Sequence, residues 1–184
     1  MIIVLNGVSS SGKSSLAKEL ISLLPDYFAF SIDDYDYIIE KMEDRDNERL
    51  IPVETEYFYY KNAAMFSDRG VNLILDQIIH DSTTAKLFYK ILKDHPVLFI
   101  GVHCPEEELT SREQQRGDRA AGQALSQLAF VHKEEKYDLE VNTFTHSYSE
   151  CAKRIADRLK SDVPMNGFDS SRALFESKEE NFSV

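Results

Sequence analysis

Short apolar runs alternate with longer amphipathic segments along most of this chain. Five runs rich in β-branched and aromatic residues predict strands, at Ile2–Leu5, Phe28–Ile32, Val71–Leu75, Val97–Val102 and Leu139–Val141. The first run is apolar at every position. Continuous apolar runs of this kind are typical of strands buried on both faces of a parallel sheet.

Helical periodicity fills the intervals between these runs. Apolar positions three or four residues apart predict helices at Lys13–Leu24, Asp34–Met42, Val53–Asp68, Ser82–Leu92, Glu106–Arg116, Gly122–Val131 and Ser149–Lys160. Pro25 follows the first helix and cannot continue it, while Gly70 follows the third, where a left-handed residue costs little. Alternating strands and helices predict right-handed crossovers and a three-layer α/β fold, in which helices cover a central parallel five-stranded sheet.

The same pattern sets the expected domain organisation. No internal repeat or linker divides the chain, so residues 1–161 are predicted to form one domain. After Asp162 the pattern is interrupted by proline and glycine, and Ser177–Val184 is polar and acidic. Residues 162–184 are therefore predicted as a C-terminal extension, for which a mobile tail is favoured over a peptide that docks a partner.

Charge and composition narrow the class of protein. The 184 residues carry 32 acidic and 21 basic side chains, a net charge of −11. This balance disfavours a general nucleic-acid binder, which needs a basic surface. The sequence has neither the roughly 18 apolar residues of a membrane helix nor a signal peptide. Cys104 and Cys151 fit buried thiols in a reducing compartment. We therefore expect a cytoplasmic protein with no nucleic-acid or membrane partner, and its oligomeric state stays open.

One motif points directly to phosphate binding. Residues 7–14 read Gly-Val-Ser-Ser-Ser-Gly-Lys-Ser and fit the Walker A pattern G-x-x-x-x-G-K-[ST] in full. The motif follows the first predicted strand and opens the first predicted helix. Its glycines let successive backbone N–H groups point at phosphates, and the helix N-terminus adds a favourable dipole.

The motif assigns an expected role to its residues. Lys13 is expected to reach the β- and γ-phosphates, and the Ser14 hydroxyl to bind Mg²⁺. The predicted nucleotide-binding residues of this segment are Gly7, Val8, Ser9, Ser10, Ser11, Gly12, Lys13, Ser14 and Ser15. The guanine-recognition motif N-K-x-D is absent from the sequence. A GTPase is therefore disfavoured, and ATP is the expected nucleotide.

Two aspartates directly follow predicted strands, where ligands of open α/β sheets bind. Asp76 is interpreted as a Walker B carboxylate that holds Mg²⁺ directly or through its water, with a capping aspartate as the alternative. Asp33 is the predicted catalytic residue, which would accept the proton of a substrate hydroxyl and orient its oxygen. The nearby Asp34 and Asp36 are interpreted as structural residues at a helix start.

Arginines concentrate in one segment of this acidic chain. Arg112 and Arg116 are four residues apart and share a helix face, and Arg119 follows shortly after. Guanidinium groups suit phosphate because their planar fork makes paired hydrogen bonds. Residues 105–122 are therefore predicted as a helical lid over ATP, in which Arg112 binds the nucleotide and Arg116 and Arg119 are catalytic. The alternative is a solvated helix with ion pairs to neighbouring glutamates.

Blocks spread over most of the chain strengthen this interpretation. They are Leu5–Ser14, Phe30–Asp33, Arg116–Arg119, Val131–His132, Tyr137–Val141 and Glu150–Ala152. In this order they resemble the chloramphenicol phosphotransferase-like family of P-loop kinases. The resemblance implies ATP-dependent phosphorylation of a hydroxyl, with Asp33 as the base and the Arg116–Arg119 region as the lid. The segment between Asp33 and Asp76 differs in content, so chloramphenicol is not carried over as the acceptor.

The predicted function is transfer of the γ-phosphate of ATP to a hydroxyl of a small molecule, with Mg²⁺ as the metal. Two alternatives stay open. One is a toxin-type, metabolite or nucleotide kinase that shares the loop and the aspartate, and the other is a nucleotide-dependent binding module without turnover. His80 and His103 lack metal-ligand spacing, so no zinc site is predicted. His132 is interpreted as a positioning residue rather than a catalytic one.

Overall fold

The apolar run at the start of the chain forms the central strand of the sheet. The computed structural model describes residues 1–116 and 122–182 of the protein. Its strands are β1 (Ile2–Asn6), β2 (Tyr27–Ser31), β3 (Asn72–Gln77), β4 (Val97–His103) and β5 (Leu139–Asn142). They pair in parallel in the order β2-β3-β1-β4-β5. The predicted parallel five-stranded sheet is confirmed.

Helices connect successive strands, as the alternating pattern predicts. They are α1 (Lys13–Leu23), α2 (Ile32–Met42), α3 (Thr55–Asp68), α4 (Ser82–Leu92), α5 (Glu106–Arg116), α6 (Gln123–Gln127), α7 (Tyr148–Leu159) and α8 (Gly167–Phe182). Most bounds lie within two residues of prediction, but α6 ends four residues before the predicted Val131. Residues 128–131 continue as turns, and His132 then adopts φ 67°, a left-handed conformation that no helix continues through.

The two faces of the sheet are covered by different helices, which gives the predicted three layers. On one face α1 and α7 pack against Ile3 and Leu5 of β1. On the other face α3, α4 and α8 pack against Ile2 and Val4, and much of this core is aromatic. The aromatic stretch that begins α3 is mainly core, since Tyr59 and Tyr60 are buried while Tyr57 is exposed. The alternation of β1 residues between two cores explains why Ile2–Leu5 is apolar at every position.

The C-terminal segment differs from its predicted form as an extension outside the domain. Residues 167–182 form α8, and Phe168 is buried at 4% exposure in the aromatic core. Its ring lies 5.1 Å from that of Phe88, and Phe175 lies 5.6 Å from Tyr89. The physical reason is that two aromatic residues seven positions apart share one helix face, which the surrounding polar sequence conceals.

Two further expectations concern thiols and membranes. Cys104 and Cys151 are buried free thiols, as predicted. Burial raises the pKa of both groups, which keeps them protonated and unreactive. Among residues 1–116 and 122–182, the helices are too short or too polar for any of them to cross a membrane.

We expect Phe168→Ala to lower the free energy of unfolding by about 3–5 kcal/mol, because it removes a buried ring and leaves a cavity beside Phe88. Phe144→Ala is the matched control, since Phe144 is 58% exposed and its truncation should change stability by less than about 0.5 kcal/mol. Urea unfolding measures both variants. Equal midpoints for the two would contradict the packing of α8 as part of the domain.

Candidate active site

The phosphate loop, residues 7–14, connects the central strand β1 to α1 at the carboxyl edge of the sheet. Gly12 has φ 91° and precedes the helix, and a Cβ atom there would lie 2.7 Å from the ring of Tyr148. A Cβ atom at Gly7 would lie 2.5 Å from the carbonyl oxygen of Val102. Both positions therefore require glycine, one for its backbone conformation and both for the close approach of neighbouring groups.

The loop borders a cleft of about 520 Å³. The predicted site residues that line it are Ser9, Ser10, Gly12, Lys13, Ser14, Ser15, Asp33, Asp76 and Arg112. Val8 and Ser11 are instead buried at 1% and 0% exposure, and Gly7 lies beneath the loop as well. These three residues form the buried side of the loop. The fold thus brings nine of the predicted residues to one cleft, while their roles stay predictions.

Lys13, Ser14 and Asp76 form a compact cluster at the floor of the cleft. The Ser14 hydroxyl donates to Asp76 Oδ2 at 2.5 Å, and Lys13 Nζ lies 3.9 Å from Asp76 Oδ1. Lys13 Nζ also donates to the Val8 carbonyl at 3.0 Å. Pairing of β1 with β3 puts Leu5 beside Asp76, so the carboxylate lies directly next to the loop.

These oxygens fit a magnesium ion bound together with a nucleotide. Mg²⁺ in nucleotide sites takes one or two protein oxygens and completes its octahedron with phosphates and water. Ser14 and Asp76 supply two such oxygens at hydrogen-bond distance from each other. Within the described residues no group of three or more His, Cys, Asp or Glu side chains could hold a metal. The donor set therefore suits a nucleotide-bound ion rather than a metal caged by protein ligands.

Asp33 stands on the other side of the cleft, in the first turn of α2. The predicted helix began one residue after it, but α2 begins at Ile32 because β2 passes into the helix without a loop. The end of β2 is held by Tyr59, whose hydroxyl donates to the Phe30 carbonyl at 2.6 Å and whose ring stacks on Phe30. The Asp33 side chain is exposed in the cleft, where a carboxylate is also favoured by the helix dipole.

Arg112 braces the phosphate loop in this structure. Its guanidinium donates to the Ser10 carbonyl at 3.4 Å and to Thr143 Oγ1 at 3.1 Å. The Thr143 hydroxyl in turn donates to the Ser11 carbonyl at 2.7 Å, and Glu108 accepts from Arg112 Nε at 2.7 Å. Arg112 therefore contacts the loop as well as the cleft. The predictions for the Arg116 side chain and for Arg119 lie outside the described residues.

Several contacts to the loop and the lid segment were not anticipated. Gln127 of α6 accepts the Ser9 backbone N–H at 2.7 Å. Glu113, which the alternative of a solvated helix would place at the surface, is 4% exposed and accepts from the backbone N–H groups of Gly122 and Ala124. Sequence carried little signal for these roles, because a surface glutamate or glutamine and a buried one have the same local pattern.

A chain of polar side chains connects the base of the loop to the segment after α6. Asn6 Nδ2 donates to the Tyr137 hydroxyl at 2.8 Å, and that hydroxyl lies 2.8 Å from His132 Nδ1. The ring of Tyr137 fits because residue 101 is glycine, where a Cβ atom would be 2.7 Å away. Burial, with further contributions from His103 and Lys13, lowers the pKa of His132 to about 3. His132 is therefore neutral, and its Nδ1 atom accepts a hydrogen bond from the Tyr137 hydroxyl.

The model of the chloramphenicol phosphotransferase-like proteins matches residues 1–160. The chain belongs to this family. A candidate O-phosphotransferase of Mycobacterium tuberculosis strain CDC 1551 is 27% identical to it, over 84% of this chain and 80% of the relative.

Solved structures share the fold of this family member. The Deinococcus radiodurans tunicamycin resistance protein matches with a TM-score of 0.66 and 20% identity, over 86% of this chain and 95% of its own. The Mycobacterium tuberculosis APS kinase, solved with AMPPNP and APS, matches with a TM-score of 0.63 and 16% identity, over 87% and 97%. Family and fold together identify a P-loop protein of the kinase and phosphotransferase type.

Burial of the His132 imidazole should make the stability of the protein depend on pH. Because the pKa of His132 is lower in the folded state (about 3) than its ordinary value of 6.5, the unfolded chain takes up the proton first as the pH falls. Stability should therefore decrease from pH 6.5 toward pH 3. Between pH 7 and pH 5 we expect the wild type to lose about 1–2 kcal/mol more than His132→Asn, since asparagine tolerates the left-handed backbone.

Urea unfolding at several pH values measures this difference. His146→Asn is the matched control, because His146 is exposed. Parallel stability profiles of the wild type and His132→Asn would disprove the buried neutral state of His132.

Proposed function

We propose that this family member transfers the γ-phosphate of ATP to a hydroxyl group of a small molecule. The observation that carries the proposal is one cleft of about 520 Å³ lined by the phosphate loop, the Ser14–Asp76 pair and the Asp33 carboxylate. Support also comes from the family description and from the relative described as a candidate O-phosphotransferase. The acceptor is proposed to be a small molecule rather than a nucleic acid, given the net charge of −11.

The nucleotide side of the cleft is proposed to bind the phosphates of ATP. Backbone N–H groups of the loop and the start of α1 favour anions. Lys13 lies at the floor of the cleft, where its ammonium can move from the Val8 carbonyl to the β- and γ-phosphates. The hydroxyls of Ser10 and Ser11 are buried and have no partner among the described residues, so they add donors close to the loop. The APS kinase neighbour carries AMPPNP, an ATP analogue, in its structure.

Ser14 and Asp76 are proposed to hold Mg²⁺ together with the nucleotide. The ion, when bound, neutralises charge on the β- and γ-phosphate oxygens. The Ser14 hydroxyl now donates to Asp76, and both oxygens face the cleft beside the loop. The arrangement therefore keeps two ligands close together before any nucleotide arrives.

Asp33 is proposed to bind the acceptor hydroxyl and to take its proton. As the hydroxyl oxygen forms a bond to the γ-phosphorus, the bond from that phosphorus to the β-phosphate oxygen breaks and ADP leaves. The released proton goes to the Asp33 carboxylate. Phosphoryl transfer depends mainly on positioning and electrostatics, so an aspartate held at a helix start is suited to this role.

Arg112 and the segment around it are proposed to close the cleft over the nucleotide. Arg112 already contacts the loop through Ser10 and is anchored by Glu108. Positive charge here would stabilise the transferring phosphoryl group, and closure would exclude water that competes with the acceptor.

Asp33→Asn is expected to lower kcat about 100-fold or more, because a positioned base contributes 10²–10⁴-fold. Binding of AMPPNP should be unchanged, since Asp33 faces the acceptor side. Asp34→Asn, at the neighbouring exposed position of the same helical turn, is the matched control. ADP release and AMPPNP titration measure the two effects. Near-normal turnover by Asp33→Asn would remove this residue from the catalytic role.

Lys13→Ala is expected to weaken AMPPNP binding and to lower turnover, because the loop loses its charge for the β- and γ-phosphates. Lys18→Ala, on the exposed surface of the same helix, controls for loss of a lysine. Unchanged AMPPNP affinity in Lys13→Ala would contradict the proposed phosphate site.

The function itself is tested by ADP release over a panel of hydroxyl-bearing antibiotics, nucleosides and sugars, with chloramphenicol included. Acceptor-dependent ADP release and a phosphorylated product by mass spectrometry would support the proposal. Binding of AMPPNP with no acceptor-dependent release across the panel would favour a binding module instead.

A further inference from the structure

Gln77, the last residue of β3, is buried in an unusual way. Its exposure is 1%, and both polar atoms of its side chain, Oε1 and Nε2, lack a hydrogen-bond partner among the described residues. Asn6, which pairs with Gln77 in the sheet, has hydrogen-bond partners for both of its side-chain polar atoms. Asn6 Nδ2 donates to Tyr137, and Asn6 Oδ1 accepts from the backbone N–H of Ile79. Two side-chain amides therefore lie side by side. In Asn6 both polar atoms are hydrogen-bonded, and in Gln77 neither has a partner among the described residues.

A buried amide without hydrogen-bond partners lowers the stability of a folded protein. Its water contacts are lost on folding and are not replaced, so buried polar groups in native proteins are nearly always paired. Packing does not require glutamine here, since Leu75 on the same side of the strand and Ile79, two residues after Gln77, are apolar. A leucine would satisfy the same position in the core. The exception therefore calls for a functional explanation, because stability is given up most often at functional sites.

The position of Gln77 indicates which part of the site it serves. Residues of β3 alternate between the faces, with Ile74 packed on the α1 side and Leu75 on the α3 side. Asp76 therefore belongs to the α1 side, where it contacts Ser14, and Gln77 belongs to the α3 side. The nucleotide loop leads into α1, so Gln77 lies on the face of the sheet opposite to this helix.

Gln77 is also close to Asp33. Pairing of β2 with β3 places Ser31 beside Asp76, so the following residues, Ile32 and Asp33, leave the sheet next to Gln77. Gln77 and Asp33 line the same cleft. A molecule whose hydroxyl reaches Asp33 would therefore present its neighbouring atoms to this amide.

We propose that Gln77 recognises the acceptor, and that the acceptor carries, beside the hydroxyl that is phosphorylated, a group that both donates and accepts hydrogen bonds. An amide or a second hydroxyl has this chemistry, because a carboxamide pairs with one donor and one acceptor at once. The inference rests on the proposed phosphotransferase function. A plain alkyl alcohol would leave the amide unpaired and is disfavoured as a substrate, as in other sites built on hydrogen bonds.

The first test uses stability and needs no acceptor. Gln77→Leu removes two unpaired polar atoms at nearly constant volume, so we expect the Tm of the unliganded protein to rise by about 2 °C or more. Gln127→Leu is the matched control, because Gln127 Oε1 accepts from the Ser9 N–H and its loss should lower the Tm. A lower Tm in Gln77→Leu would overturn the proposal, since it would mean that the amide stabilises the fold itself.

The second test measures discrimination between acceptors. ADP release is compared for N-acetylethanolamine, which has a hydroxyl and an amide, and for 1-butanol, which has only a hydroxyl. We expect the wild type to prefer the amide compound at least tenfold in kcat/KM, and Gln77→Leu to lose this preference, with AMPPNP affinity changed by less than twofold. An equal preference in both proteins, or none in the wild type, would overturn the inference.

The two proposals fail in different ways. If neither probe and no member of the acceptor panel supports ADP release, the phosphotransferase function fails and the inference fails with it. If acceptors are phosphorylated but Gln77→Leu discriminates as the wild type does, only the role of Gln77 fails. If panel members are phosphorylated and the two small probes are not, kcat/KM is compared on those panel members, and equal values for Gln77→Leu and the wild type would overturn the role of Gln77.

Discussion

The parallel pairing of β1 with β3 and β4 is the constraint on which the rest of the site depends. Because this pairing is parallel, the carboxyl end of β1 lies at the same edge of the sheet as the carboxyl ends of its neighbours. The phosphate loop, Asp76 and the start of α2 therefore meet at one edge. A shift of the β3 register by one residue would turn Asp76 to the α3 side and Gln77 to the loop.

The loop is held by contacts from behind as well as by its own sequence. Arg112 and Thr143 fix the carbonyls of Ser10 and Ser11, while Gln127 accepts from Ser9. These three residues come from α5, from the segment after β5 and from α6. Changes in α5 or α6 are thereby connected to the loop by direct hydrogen bonds.

The predicted strands, helices and Walker A loop agree with the structure because each depends on a local pattern. The position of Asp33 and Asp76 in one cleft could also be predicted, since residues that follow parallel strands must meet at one edge. For Arg112, the nucleotide-binding role stays a prediction. Its spacing from Arg116 indicates a shared helix face, but its contact with Ser10 depends on how α5 lies against the loop. For residues 162–184 a mobile tail was favoured, whereas residues 167–182 form α8. The buried Phe168 and the half-buried Phe175 gave little signal because they occur in a mainly polar segment.

The sequence by itself determined the α/β class, the phosphate loop and the two aspartates, since periodicity and motif spacing are properties of neighbouring residues. Only the tertiary structure decided that Glu113 is buried, that His132 is neutral and that Gln77 has no partner among the described residues. Burial and hydrogen bonding depend on groups far away in the chain. Asn6 and Gln77 illustrate this. Both carry a side-chain amide and lie next to each other in the sheet, but the fold provides hydrogen-bond partners for Asn6 and none among the described residues for Gln77.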